Sequence, residues 1–482
     1  KSGAAGTLLR LSAGGGFGIG ITSCIDFICL LAGLVRYIAA VEIVLGLVLG
    51  LLCLSRFRKG TPREEEAPAE TDQSVHGAVP SFTGSKLRTL VAFVFSAELI
   101  ASLVSFFIAF LKEPHGRWDA WLIWNMHARF LFRGGARWRE AFASGLDWSH
   151  WDYPLLLPLS IARGWTYLGG DDFPVPAVMG FIFTFLIHGL LVGALALLRS
   201  RTQGYLAAMI LMGTPFFIFM GSSQFADVPL AFFILTTLAL LLFQARSAKG
   251  CTGALILAGL AAGLAAWTKN EGLLFLLVAA ASLFGATFHT AGWRQAFRRI
   301  AGFGAGALPV LLIVIYFKLR LAPTGYLAEG FSLAALPDKL FDWRRYYEIA
   351  RAFFIMGISF TQGLVDVRIG MRLNPGAVNI ILLVVYLLFA GIRIDREDRP
   401  GLLQTGSILF LMLVGYFFVY VTTPLELAYH LATSLNRLFL QLWPGVILLF
   451  FMVAGTHEEA PAPHTKSRPL RGKKGLKIAE AK

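Results

Sequence analysis

Charged residues are scarce in this chain of 482 residues: Asp, Glu, Lys and Arg make up 15% of it, whereas 56% is hydrophobic. A water-soluble domain of this length needs more charge on its surface, so the composition excludes a soluble globular protein. Apolar runs of about 17–22 residues recur along the whole chain, and each is long enough to cross a bilayer as a helix. The runs are continuous rather than alternating, which favours helices over a β-barrel.

Cysteine is also rare, and acidic residues are the minority charge. The four cysteines lie in or beside apolar segments and lack the spacing of metal ligands. The 29 acidic residues stand against 43 Lys and Arg, which gives a net charge of +14. The basic residues lie in short connections and in the C-terminal tail, as the positive-inside rule requires. The positive charge therefore predicts membrane orientation rather than a nucleic-acid partner.

The basic connections give the predicted topology. Placing all of them in the cytoplasm requires the spans to alternate strictly in direction, and the apolar runs satisfy this condition. We predict an all-α polytopic membrane protein with about 10–13 transmembrane helices. The predicted spans include residues 205–222, 378–392 and 437–453, and we expect residues 346–360 to be interfacial or re-entrant. The predicted parts are an N-terminal transmembrane hairpin (1–55), a cytoplasmic linker (56–88), a central module (89–320) whose first large outer loop is 112–173, a C-terminal transmembrane region (321–454) with an outer loop at 321–376, and a basic cytoplasmic tail (455–482).

The first outer loop begins with "EPHGRWDAWLIWNMHARF", which places Asp119 between Trp118 and Trp121. Residues 118–133 suit a partly amphipathic helix in the membrane interface, where tryptophan is favoured. An acid that faces a membrane is costly unless it has a partner or a task. A salt bridge from Asp119 to Arg117 or Arg129 is the structural alternative to a catalytic role.

Further polar side chains lie on the same predicted face of the membrane, and each has a purely structural interpretation as well as a functional one. Asp227, in "QFADVPL", suits either a helix N-cap or a site acid. Lys269 and Glu271 suit either a boundary ion pair or a phosphate site. Arg437 suits either a snorkelling anchor or a phosphate clamp, because His430, Thr433, Ser434 and Arg437 share one helical face. The remaining candidate substrate-binding residues are His127, His150, Asp152 and Tyr153, for which turn, capping and interfacial roles are the alternatives.

The layout resembles the GT-C superfamily of integral-membrane glycosyltransferases. A transmembrane helix is followed by a large outer loop with an acid near its start and then by further spans, as in protein O-mannosyltransferases, lipid A aminoarabinose transferases and bacterial core-sugar transferases. The pieces "GRWDAW" and "DYPLLLP" are similar to those of bacterial members, and the resemblance covers residues 90–453. The N-terminal hairpin and linker depart from the family's usual start.

The resemblance implies an inverting transferase that moves a sugar from a polyprenyl-phosphate donor to a hydroxyl of a glycan, lipid or protein. Asp119 would be the catalytic base and Asp227 a second site acid, with no required cofactor and a divalent metal at the two acids left open. A leaving phosphate needs cations more than a general acid, so we expect Arg437 and Lys269 to bind it. The site would lie on the extracytoplasmic face of a membrane, which we expect to be a bacterial inner membrane.

Three other functions remain open at this stage. A transporter or flippase of lipid-linked sugars would line a central path with ionisable groups and broken helices. A non-catalytic subunit would use the N-terminal hairpin or the basic tail to bind a protein partner. An oligosaccharyltransferase or lipid-linked glycan ligase is the alternative within the enzyme class.

Overall fold

The structure is a computed structural model of the chain, and it describes residues 3–59, 82–247, 252–322, 334, 336–359 and 377–455. Most of the predicted linker, part of the outer loop 321–376 and nearly all of the tail lie outside these ranges. The helices are α1 (Ala4–Leu31), α2 (Ile38–Lys59), α3 (Phe82–Lys112), α4 (Asn125–Arg133), α5 (Leu156–Leu168), α6 (Pro174–Leu198), α7 (Arg201–Met212), α8 (Pro215–Ser222), α9 (Asp227–Arg246), α10 (Thr252–Thr268), α11 (Asn270–Arg320), α12 (Leu336–Phe341), α13 (Trp343–Ser359), α14 (Ala377–Ala390), α15 (Arg399–Thr422) and α16 (Leu427–Val453).

The predicted all-α membrane fold is confirmed. Within the described ranges, seven helices are long and apolar enough to cross a membrane, and α7 with α8 makes an eighth if the bent pair is one span. The 51-residue α11 contains a break at Gly292, whose φ is 77°, so its two arms are separate candidate spans. With the second arm, α2 and the shorter apolar helices α10 and α14, the count enters the predicted range of about 10–13.

The N-terminal helix α1 is an integral part of the bundle. It packs against α5, α6 and α10. A Cβ on Gly16 would lie 2.0 Å from the Phe232 ring, and one on Gly20 would lie 2.6 Å from Leu264, so both glycines permit close approach. The indole of Trp267 donates to the Ser23 hydroxyl at 2.9 Å. Helix α1, which belongs to the N-terminal hairpin that departs from the family's usual start, therefore contributes to the hydrophobic core.

The span predicted over residues 205–222 is broken. The axes of α7 and α8 differ by 68°. The break falls at Gly213 and Thr214, immediately before Pro215, which cannot donate a backbone hydrogen bond. The Asn379 side-chain amide donates to the Gly213 carbonyl at 2.7 Å and so satisfies one of the backbone groups that the break releases.

Helices α10 and α11 pack through reciprocal glycines. A Cβ on Gly259 would lie 1.8 Å from the Phe303 carbonyl oxygen, and a Cβ on Gly306 would lie 1.8 Å from the Ile256 carbonyl oxygen. In membranes, small residues drive helix association because they let two backbones approach.

We expect Gly259→Ala to lower the stability of the bundle by about 1–3 kcal/mol, because the added methyl must push two backbones apart. Thermal unfolding of the purified protein in lipid nanodiscs measures the change. Gly304→Ala is the matched control, since its Cβ would have no atom within 4 Å. Equal melting temperatures for the two variants would contradict the close-packing argument.

The predicted basic connections meet at one end of the bundle, which we call the basic end. Arg199 pairs with Asp395 at 3.1 Å, and Arg246 pairs with Asp398 at 2.7 Å. The Gln203 amide donates to the Ala454 carbonyl at 3.0 Å and ties the end of α16 to the same place. The candidate outer residues lie at the opposite ends of their helices, as the predicted alternation requires. Which membrane face each end occupies stays a prediction.

Candidate functional site

The segment that holds Asp119 is a tight turn out of α3 followed by a π-helical turn. Gly116 has a φ of 75°, in the left-handed region, and a Cβ there would lie 2.7 Å from that of Ala120. Residues Ala120–Trp124 then form the π-helical turn that precedes α4, within the region predicted as one helix. The Gln224 side chain accepts from Asn125 at 2.9 Å and donates to the Pro114 carbonyl at 3.0 Å. These bonds fix the turn against the connection between α8 and α9.

Asp119 is paired with Arg437, which enters from α16. The Asp119 carboxylate lies 2.6 Å from the Arg437 guanidinium. The alternative partners are engaged elsewhere, because Arg117 pairs with Glu113 at 2.8 Å and Arg129 pairs with Asp171 at 3.3 Å. The Arg437 side chain is only 16% exposed, so it does not snorkel to the surface. Two residues far apart in the sequence therefore form one charged contact.

Asp227 lies at the centre of a network that joins three helices. Its side chain is fully buried and accepts from Lys269 at 2.9 Å, from Arg437 at 3.1 Å and from Gln441 at 2.7 Å. No capping hydrogen bond from this side chain is observed at the start of α9, so the N-cap interpretation is not realised. Lys269 also pairs with Glu271 at 2.8 Å. A buried carboxylate with three donors is held in one position.

A cavity of about 760 Å³ opens beside the Asp119–Arg437 pair. Its wall is largely aromatic and apolar, with Phe216, Phe219 and Met220 supplied by α8. The charged groups of the lining are Lys112, Glu113, Arg117, Asp119 and Arg437. Lys269 is absent from the lining and is 2% exposed, so it lies behind Asp227. The cavity combines an acid, several cations and an apolar surface.

Tyr153, His150 and Asp152 form a second layer behind the ion network. The Tyr153 ring stacks between Trp124 and His150, and the Lys269 ammonium lies 5.7 Å from its centre. Burial first, and then nearby carboxylates, raise the pKa of Tyr153 well above its usual value. Asp152 accepts from Asn270 at 2.7 Å. Of these three residues only Tyr153 contacts Lys269, and none of them lines the cavity.

His127 and His430, both predicted substrate-binding residues, lie away from the cavity. His127 is completely buried, contacts the Ser149 hydroxyl at 3.3 Å and packs near Phe142. His430 contacts the Thr423 hydroxyl at 2.9 Å. The predicted stripe on α16 thus divides, because Thr433 and Arg437 line the cavity whereas His430 turns towards the end of α15. His127 has no path to a ligand from this cavity.

Because His127 is buried, we expect the folded protein to lose stability in acid. Burial, and secondarily His150, lower the pKa of His127 from 6.5 to about 4. The unfolded chain binds this proton near pH 6.5 and the folded chain does not, so stability falls as the pH drops from 6.5 towards 4, by on the order of 3 kcal/mol in total. We expect His127→Gln to flatten this part of the pH profile of thermal unfolding. The exposed His289→Gln is the control, and identical slopes for the two variants would refute the assignment.

Sequence reasoning missed several residues of the site. Gln441 lies one turn after Arg437 on the same face of α16, and this spacing was the available signal. It bonds Asp227 and accepts from the Tyr416 hydroxyl at 2.8 Å. Asn436 lines the cavity, is 6% exposed, and its side-chain oxygen has no hydrogen-bond partner. Lys112, at the end of α3, had been treated only as the boundary of a span.

The two acids named for a metal are both engaged by cations. Asp119 binds Arg437, and Asp227 binds Arg437 and Lys269. Across the described ranges, no group of three or more His, Cys, Asp or Glu side chains is placed to hold a metal ion. That no cofactor is required stays a prediction, with a divalent metal at the two acids left open.

Comparison with known proteins finds a family profile that matches part of the chain. Residues 152–317 match the profile of the dolichyl-phosphate-mannose-protein mannosyltransferase family. A solved structure, ArnT from Cupriavidus metallidurans bound to undecaprenyl phosphate, aligns with 74% of this chain and 59% of its own length, at 14% identity and a TM-score of 0.46. The chain thus spans less than two thirds of that protein. No curated protein sequence matches the chain.

The profile covers less than half of the chain, and over residues 152–317 it confirms the predicted resemblance to protein O-mannosyltransferases. That segment contains Asp227, Lys269 and Glu271. Asp119 and Arg437 lie outside it, so the geometry alone connects these two residues to the matched region.

Proposed function

We propose that the protein is an inverting glycosyltransferase that moves a sugar from a polyprenyl-phosphate donor to an acceptor hydroxyl of a glycan, lipid or protein. The reaction takes place at the end of the bundle opposite the basic end, on the extracytoplasmic side of what we take to be a bacterial inner membrane. The observation that carries the proposal is the cavity of about 760 Å³ in which the Asp119 carboxylate and the Arg437 guanidinium meet at 2.6 Å beside an apolar wall.

The cavity suits an amphiphilic donor. The polyprenyl chain lies along the apolar surface that Phe216, Phe219 and Met220 of α8 supply to the cavity. The phosphate lies at Arg437, and Lys112 adds a second cation at the mouth. A planar guanidinium and an ammonium are the side chains best suited to phosphate oxygens. The family description, which names a dolichyl-phosphate sugar, supports the same donor class.

The role of Lys269 differs from the one expected from the sequence. Lys269 is buried behind Asp227, so it holds this acid and does not touch the donor phosphate. Asp227 in turn fixes Arg437 from the side away from the cavity, at 3.0 Å. The buried layer therefore positions the guanidinium, and a positioned cation needs no reorganisation as the leaving phosphate becomes charged.

The ion pair implies a change of partners when the donor binds. In the structure, Arg437 bridges Asp119 and Asp227. A donor phosphate competes with Asp119 for the guanidinium, while Asp227 keeps its contact. The freed Asp119 then accepts the proton of the acceptor hydroxyl as its oxygen bonds to the anomeric carbon. The bond between that carbon and the phosphate oxygen breaks, and the phosphate leaves with the electron pair, so one displacement inverts the anomeric centre.

The direct test uses the full chain reconstituted in lipid vesicles with a panel of polyprenyl-phosphate sugars and candidate acceptors. We expect one donor to be consumed with stoichiometric release of polyprenyl phosphate and formation of a glycosylated acceptor. Movement of an intact lipid-linked sugar across the bilayer without release of the phosphate would instead establish a flippase. Absence of saturable binding by every donor would favour the non-catalytic subunit.

A further inference from the structure

A second cavity, of about 590 Å³, lies between the peripheral helix α3 and the rest of the bundle, and we call it the α3 groove. Helix α3 is loosely packed, because only 11% of its apolar segment is buried inside the bundle. It touches α7 through the stacked rings of Phe95 and Tyr205, whose centres are 4.8 Å apart. The lining residues come from α1, α3, α6 and α7 and include Phe181, His188, Ala196 and Arg201.

The α3 groove has the dimensions of a lipid chain. Its lining on α6 runs from Phe181 to Ala196, which is about 22 Å of helix at a rise of 1.5 Å per residue. This length is about three quarters of the hydrocarbon thickness of a bilayer, about 30 Å. The groove contains none of the residues of the first cavity, so a molecule bound there would not occupy the Asp119–Arg437 site.

One end of the α3 groove is cationic. Arg201 begins α7 at the basic end of the bundle and lines the groove. Its side chain is exposed, and no acidic side chain in the described ranges pairs with it. An exposed guanidinium that has no acidic partner within the described ranges, at the mouth of an apolar groove, complements a lipid with an anionic headgroup.

The middle of the α3 groove holds one buried acceptor. His188 is 3% exposed, and its Nδ1 lies 2.7 Å from the Thr184 carbonyl oxygen, so Nδ1 carries the proton and donates it there. The other ring nitrogen, Nε2, is buried without a hydrogen-bond partner.

We propose that the α3 groove is a binding site for an anionic glycerophospholipid, whose phosphate lies at Arg201 and whose acyl chain runs along α6 past His188. This lipid is distinct from the proposed sugar donor and enters from the leaflet at the basic end. Because α3 leads directly into the turn that carries Asp119, the bound chain fills the space behind α3 and supports that turn. The lipid site does not depend on the proposed transferase activity.

The test measures lipid retention rather than catalysis. The purified full chain is exchanged into detergent with phosphatidylglycerol or phosphatidylcholine and examined by native mass spectrometry. We expect retention of phosphatidylglycerol in preference to phosphatidylcholine. Arg201→Gln should lower the occupancy about fivefold, the effect of one basic residue on an anionic lipid. Ala196→Phe should abolish it by filling the groove.

Matched controls separate this site from general lipid adhesion. Arg298→Gln removes an exposed arginine in the α11 connection, and Ala305→Phe adds the same ring at an exposed position of α11. Neither control should change retention. Equal retention by all five proteins, or equal retention of the two lipids, would overturn the proposal. A second bound polyprenyl phosphate in the wild type that is absent from Ala196→Phe would also overturn it, because the groove would then be a second carrier site.

Discussion

Asp119→Asn is expected to lower the rate of sugar transfer by about a hundred- to ten-thousand-fold while the protein folds and still binds its donor. A positioned general base contributes an effect of this size, and an amide cannot accept the proton of the acceptor hydroxyl. Folding should be preserved because the substitution keeps the shape of the side chain and Arg437 keeps its contact with Asp227. The measurement is the single-turnover transfer rate with the donor identified in the vesicle assay.

Two comparisons make the Asp119 result specific. Glu113→Gln neutralises a neighbouring acid in the same cavity lining. We expect a loss of less than tenfold, because the one ion pair of Glu113 within the described ranges is with Arg117. Donor affinity should remain in Asp119→Asn, since the amide releases Arg437 more easily to the phosphate. Substantial transfer by Asp119→Asn would remove Asp119 from the role of base, whatever the behaviour of Glu113→Gln.

Arg437→Gln is expected to have the largest combined effect, on donor binding and on stability. It removes the guanidinium from the proposed phosphate site and leaves the fully buried Asp227 with one fewer cation. Breaking a buried ion pair from one side costs about 3–5 kcal/mol. Donor binding by surface plasmon resonance and thermal unfolding measure the two effects separately.

Further variants separate phosphate binding from loss of structure. Arg437→Lys keeps the charge but not the planar fork, so we expect it to retain most of the stability and to lose affinity for the phosphate. Lys112→Gln removes an exposed cation at the mouth and should weaken donor binding at unchanged stability. Asp227→Asn combined with Arg437→Gln should recover stability relative to Arg437→Gln alone, without recovering donor binding. Unchanged donor affinity in Arg437→Lys and Lys112→Gln would place the phosphate elsewhere.

The sequence was most informative where an apolar run is bounded by polar residues. Helix α14 begins at Ala377 and ends at Ala390, close to the predicted span 378–392. Helix α13 covers residues 346–359 of the predicted interfacial segment, whose last residue lies outside the described ranges. Bounds were less accurate where polarity changes gradually. Helix α16 begins at Leu427, ten residues before the predicted span at Arg437, because its first turns are helical but polar and so lie outside the apolar run that defined the span.

The site was predictable as a set of residue types and not as a set of contacts. Asp119, Asp227, Lys269 and Arg437 are ionisable groups at one predicted face, and this was enough to select them. Whether Lys269 or Arg437 reaches the cavity depends on the packing of α10 against α9 and of α16 against α9, which follows from side-chain shapes across the bundle. The burial of Lys269 behind Asp227 could therefore not be read from sequence spacing.

The position of α1 has a consequence for the biogenesis of the protein. Helix α1 leaves the ribosome before its partners Phe232, Leu264 and Trp267, which belong to helices that are made much later. Because chains emerge N-terminus first, α1 lies in the bilayer without the packing partners of Gly16, Gly20 and Ser23 until α9 and α10 have been inserted. Closure of the bundle around α1 is thus a late event of assembly. A shortened chain that begins at α3 would keep every proposed catalytic group and lose the piece that completes the core.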